Sequence, residues 1–133
     1  FAVDTEAGLV VPVIRDVDDK GVIELAEEIA ELSELARERK LRPDHMAGGC
    51  FTVSSLGAIG GTGFTPIVNA PELAVLGVAR IDTQPVWDGK KFVPRNMLPI
   101  SLSYDHRAIN GAEAGRFVQR LGRILAEPES LSR

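Results

Sequence analysis

Few residues in this chain of 133 are equipped for chemistry: two histidines, His45 and His106, and a single cysteine, Cys50. His106 lies in SLSYDHRAINGAEAG, residues 101–115, between an alternating apolar and polar run and the start of an amphipathic segment. A histidine held by a strand on one side and a helix on the other is positioned by two rigid elements. That suits a general base that must meet a substrate proton within hydrogen-bond reach. The same residues also fit a turn in which Asp105 or Asn110 caps the helix and His106 merely satisfies backbone groups. His45 falls in the connector LRPDHMAGG with no chemical partner nearby and reads as an exposed or capping residue. Cys50, in GGCFTV at the entrance to a strand, reads as a small buried residue rather than a nucleophile. One cysteine excludes an internal disulfide, and with two histidines it leaves no metal-ligand cluster of the usual spacing, so no metal is expected.

The elements that must position His106 follow from periodicity. GLVVPVIRDV is β-branched and apolar, a strand whose Pro12 points to an edge or a bulge. Asp18 or Asp19 is placed to cap the next segment, in which Val22, Leu25, Ala26, Ile29, Leu32 and Ala36 recur at helical spacing, with acids early and bases late. Pro43 and the Gly48-Gly49 pair break that pattern before the short strand CFTVSS. LGAIGGTGFTPIVNAP is rich in glycine and contains two prolines, yet fits neither the Walker nor the dinucleotide glycine pattern. Its glycines are expected to permit tight turns and close backbone approach, at a ligand channel or a subunit contact. ELAVLGVARI reads as a continuous apolar strand, buried on both faces or packed on another chain. Asp88-Gly89 marks a hairpin turn whose second arm runs on to His106. After Gly111, Ala114, Phe117, Val118, Leu121, Ile124 and Leu125 form a helical apolar face that stops at Pro128. The order of strand, helix, several strands and helix predicts an α+β fold with a mixed or antiparallel sheet.

Formal net charge is −4, and the Lys and Arg residues are scattered among acids, so neither nucleic acid nor a membrane surface is an expected partner. The apolar runs are strand-length, well short of the roughly 20 residues of a membrane span. The opening residues carry no signal-peptide pattern, and the cysteine usage fits a reducing compartment.

Four motifs, GLVVPVI, FTVSSLG, PIVNAPE and LSYDHRAING, together resemble the catalytic domain of the dihydrolipoamide acyltransferases, in order and along essentially the whole chain. The histidine motif and the strand serine are shared with the chloramphenicol acetyltransferases. The resemblance implies a chloramphenicol-acetyltransferase-like two-layer α+β fold, with residues 1–133 forming the C-terminal part of the domain. The lipoyl and subunit-binding domains and the upstream half of the catalytic domain are expected to lie outside this sequence. Such a partial domain would leave apolar faces of ELAVLGVARI and of both helices open, and so would need a partner chain.

Through the resemblance, His106 corresponds to the family's general base. A thiol with a reference pKa near ~8.5 is mostly protonated at neutral pH, whereas an imidazole near ~6.5 is mostly free to accept its proton. Ser54 corresponds to the oxyanion donor, and Ser55 faces the other way because side chains alternate along a strand. Asn110 stands where many family members carry aspartate; an amide can order the turn by hydrogen bonds but supplies no charge. The implied substrates are coenzyme A and a lipoyl group on a separate domain. The implied partners are two further copies in a homotrimer, a larger core, and the dehydrogenase components of the complex. In the family the base and the serine come from adjacent subunits. SSLGAIGGTGFTPIVNAPE and QPVWDGKKFVPR resemble pyruvate-type members, which implies acetyl rather than succinyl or branched acyl groups. A structural core component without turnover and a small-molecule acetyltransferase are the alternative readings. The expected location is the cytoplasm in a bacterium or the mitochondrial matrix in a eukaryote.

Overall fold

The computed structural model describes residues 1–57 and 59–127. Its framework is a three-stranded sheet of β3 (Thr52–Ser55), β4 (Ala74–Val78) and β7 (Ile100–Tyr104), in the order β3-β4-β7. β3 runs parallel to β4 and β7 antiparallel to it, so the sheet is mixed as predicted. The apolar run of β4 is central: Ala74, Val75, Leu76 and Gly77 are all buried. That strand is therefore covered within the chain rather than left open, contrary to the expectation for a partial domain. Phe64 and Pro66, from the loop between β3 and β4, close over Gly77, and α2 packs beside it on β7.

α2 (Gly111–Ala126) packs on β7 through buried Ala114, while Phe117 meets Phe51 with ring centroids 6.0 Å apart. Val118, Leu121 and Ile124 of the expected apolar face are half-buried, and Phe117 and Leu125 remain largely exposed. The expected stop at Pro128 lies outside the described residues. α1 (Val22–Arg37) behaves similarly: Leu32 and Ala36 are buried, but Val22, Ala26 and Ile29 at its start are exposed. The open apolar faces predicted for the helices are thus present.

Asp18 and Asp19 do not cap α1. Asp16 takes a left-handed conformation, φ 51°, and Val17–Asp19 forms a separate 3-10 turn, so the helix opens at Gly21 without a side-chain cap. Lys20 instead ties the entrance to Glu28 by a half-buried ion pair. The first predicted strand is also shorter than its apolar run: β1 (Val3–Thr5) pairs with β2 (Gly8–Val10), and the ladder ends before buried Pro12. Proline has no N–H for a continuing ladder, and Val13 instead donates to the carbonyl of His45 at 2.8 Å.

Asp88-Gly89 does make the hairpin turn between β5 (Asp82–Trp87) and β6 (Phe92–Met97), with Gly89 at φ +101° and the Asp88 carboxylate accepting from the Lys90 and Lys91 amides. The second arm does not run unbroken to His106. It ends at Met97, and the Pro99 carbonyl accepts from the Ala79 amide at 3.0 Å, transferring the chain onto β4 as β7. No helix among the described residues is long and apolar enough to cross a membrane.

Candidate active site

His106 sits at the end of β7. The Asp105 amide donates to the Leu73 carbonyl at 2.8 Å, extending the β4 pairing one residue past Tyr104. The chain then turns tightly, with the Asp105 carbonyl accepting from the amides of Ala108 and Ile109, both at 3.0 Å. The Asp105 carboxylate accepts from the Arg107 amide at 2.9 Å and from its guanidinium at 2.6 Å. Those donors favour the ionised form and hold the carboxyl at about 2, well below the ordinary range.

Asn110 closes the turn and starts α2. Its Oδ1 accepts from the Glu113 amide at 3.0 Å, and its Nδ2 donates to the Glu113 carboxylate at 2.8 Å, forming a reciprocal capping box. The two helix-capping candidates in the sequence thus divide the work. Asp105 organises the turn with Arg107, and Asn110 caps the helix.

Between these fixed neighbours the imidazole of His106 is exposed and makes no hydrogen bond among the described residues. Its ring packs against Tyr104, with centroids 5.7 Å apart and planes tilted by 42°. Tyr104 was not singled out by the sequence, because a strand-end tyrosine is ordinarily a packing residue.

Ser54 lies in β3 directly opposite Gly77 and projects to the same face of the sheet as Ser101, the partner of Gly77 in β7. The hydroxyl of Ser54 is half-buried and has no hydrogen-bond partner among the described residues. Its neighbours differ. Ser55 faces the other side, and its Oγ accepts from the Gly57 amide at 3.3 Å. Thr52 is buried and donates to Glu72 at 2.6 Å. The backbone-bonded serine is therefore Ser55, and Ser54 is the one left available.

Within one chain these two groups are not brought together. Ser54 is level with Gly77, Tyr104 with Ala74, and Asp105 with Leu73, so the turn that carries His106 begins four residues further along, roughly 13 Å at 3.3 Å per residue. A depression of about 530 Å³ beside the His106 turn is lined by Pro71, Leu73, Asp105 and Arg107 among others.

The remaining candidates resolve simply. His45 lies in a 3-10 turn, Pro43–Met46, where its Nδ1 accepts from the Arg42 amide at 3.3 Å, the capping role expected. Cys50 is exposed rather than buried, because it precedes β3 instead of entering it.

The family model of the 2-oxoacid dehydrogenase acyltransferase catalytic domain matches residues 1–133. The chain belongs to this family. It is 66% identical over 131 residues to the dihydrolipoyllysine-residue acetyltransferase component of the pyruvate dehydrogenase complex of Pseudomonas aeruginosa, covering 98% of this chain and 24% of that protein. Among solved structures it resembles Azotobacter vinelandii dihydrolipoamide acetyltransferase, crystallised to define the role of a serine, a histidine and an asparagine in its catalytic mechanism. The TM-score is 0.96 and the identity 64%, covering 98% of this chain and 54% of that one. The cubic core of a pyruvate dehydrogenase multienzyme complex matches equally, with TM-score 0.96, 65% identity and the same coverages. The chain thus spans about a quarter of its curated relative and about half of the solved catalytic chains.

Proposed function

We propose that this chain supplies the thiol base and the oxyanion donor of an acyltransferase that moves an acetyl group between dihydrolipoamide and coenzyme A. The observation that carries the reading is selective availability: His106 and Ser54 are free of hydrogen bonds among the described residues, while Asp105, Arg107, Asn110, Thr52 and Ser55 beside them are engaged. Support also comes from the A. vinelandii enzyme, whose named serine, histidine and asparagine are separated by 52 and four positions, the separations of Ser54, His106 and Asn110.

His106 takes the proton of the attacking thiol, and the thiolate sulfur bonds to the thioester carbonyl carbon. Ser54 donates its hydroxyl to the oxyanion that forms. As the tetrahedral centre collapses, the other sulfur leaves and His106 returns the proton to it. Asp105 and Asn110 hold the turn that aims the imidazole. Because the His106 turn begins roughly 13 Å along the strands from Ser54 in one chain, the site is completed by a neighbouring copy, as in a homotrimer. Further proposals are a trimer-based core, a lipoyl domain as acyl donor, the dehydrogenase components as partners, and a cytoplasmic or mitochondrial-matrix location.

The test is acetyl transfer between acetyl-coenzyme A and dihydrolipoamide, measured on the full-length assembled protein. His106→Ala is expected to lower the rate by about 10²–10⁴-fold, the worth of a positioned base. An unchanged rate overturns the assignment.

A further inference from the structure

The row Ser54–Gly77–Ser101 crosses the sheet on one face, and its middle position has no side chain. A Cβ on Gly77 would sit 2.5 Å from Ser101 Oγ, 3.0 Å from Phe64 Cζ and 3.1 Å from Pro66 Cδ. The Phe64 ring therefore occupies the space that a side chain on β4 would fill, one strand over from Ser54, a lateral step of about 4.8 Å.

The segment that carries the ring is hydrogen-bonded to the sheet at one point. Ser101 Oγ donates to the Phe64 carbonyl at 2.6 Å. Among the described residues this is the only hydrogen bond joining residues 59–71 to the sheet. The segment turns at Gly60 and Gly61, both at positive φ, +101° and +95°, a conformation that glycine adopts without strain. The loop is thus pinned to the sheet by one hydrogen bond, with buried Pro66 beside the pin.

We propose that Ser101 is a positioning residue for the oxyanion donor: by pinning the Phe64 carbonyl it keeps an apolar wall over Gly77, beside the Ser54 hydroxyl. A hydrogen bond to developing negative charge is worth more where water is kept away, so the wall raises the contribution of Ser54 without touching the transferred proton. Gly77 is required for the wall to seat. The inference rests on the proposed role of Ser54.

The test is a double-mutant cycle on the full-length assembled enzyme, with acetyl-coenzyme A and dihydrolipoamide as substrates. Ser101→Ala is expected to lower kcat about 10-fold with both KM values within about twofold of the parent, and Ser101→Thr, which keeps the hydroxyl, to restore most of it. In a Ser54→Ala background, Ser101→Ala is expected to cost little further, because the donor it serves is gone. An equal fall in both backgrounds means a structural role only and overturns the inference. If Ser54→Ala itself keeps the parental rate, the proposed function fails instead. Should Ser101→Ala not assemble, Ser101→Cys, with its weak S–H donor, carries the test: an intermediate kcat supports the clamp and an unchanged kcat overturns it.

Discussion

Ser54 lies in β3 and His106 in the turn that follows β7 of the same sheet, and while Ser54 stands level with Gly77 that turn begins at the level of Leu73, roughly 13 Å away along the strands. No rotamer of either side chain closes such a distance, because a serine hydroxyl reaches little beyond its Cβ. On the proposed function, the two residues that meet one thioester therefore come from different copies.

Side-chain alternation in β3 makes Ser54 and Ser55 sharply distinguishable. Ser54→Ala is expected to lower kcat for acetyl transfer about 10²–10³-fold, the cost of one oxyanion donor. Ser55→Ala should stay within a few-fold of the parent, since its hydroxyl only accepts from the Gly57 amide. Steady-state kinetics on the two variants check the assignment. Equal losses would mean that the strand, and not the donor, is being disturbed.

The capping box makes Asn110 a measurable source of stability. Asn110→Ala is expected to cost about 0.5–2 kcal/mol in urea unfolding, the usual value of a lost N-cap. Asn110→Asp keeps the acceptor for the Glu113 amide but sets a carboxylate against that of Glu113, where Nδ2 now donates. Glu113→Gln should therefore relieve the destabilisation by Asn110→Asp, and a double-mutant cycle measures the coupling.

The ion pair in the His106 turn has a defined pH signature. The Asp105 carboxyl is held at about 2 by the Arg107 side chain and amide, below its unfolded value near 3.8. A depressed acid contributes stability that is present above the unfolded value and is lost as pH falls through the folded one. The difference in urea midpoint between the parent and Asp105→Asn is therefore expected to be constant above about pH 5. It should close between about pH 4 and pH 2, and unfolding curves across that range check it.

How much of this was legible in the sequence differs by element. The burial of β4 was readable because an uninterrupted apolar run leaves a central strand few alternatives. The Asp88-Gly89 turn was readable because a positive φ at Gly89 suits no other residue as well. The cap of α1 was not, since the left-handed Asp16 ends one local turn before the helix begins, and nothing in VDDK signals that interruption. At the site, His106 stood out as one of two histidines, but the Asp105–Arg107 pair beside it did not, since either residue would pass as solvent-facing. Ser54 is legible only through the resemblance, and the backbone bond that falls on Ser55 instead is visible only in the fold. Ser101 gave no signal at all: its partner is a carbonyl 37 residues away, and only the register with Gly77 brings them together.

The proposed site is shared between copies, and subunit complementation tests that most directly. Full-length chains carrying His106→Ala and chains carrying Ser54→Ala are each expected to be strongly impaired when assembled alone. Co-assembled at equal amounts, about one quarter of the sites should pair an intact His106 with an intact Ser54 of the neighbour, returning about a quarter of the parental acetyl-transfer rate. Co-assemblies no more active than the mean of the two separate variants would contradict the shared site.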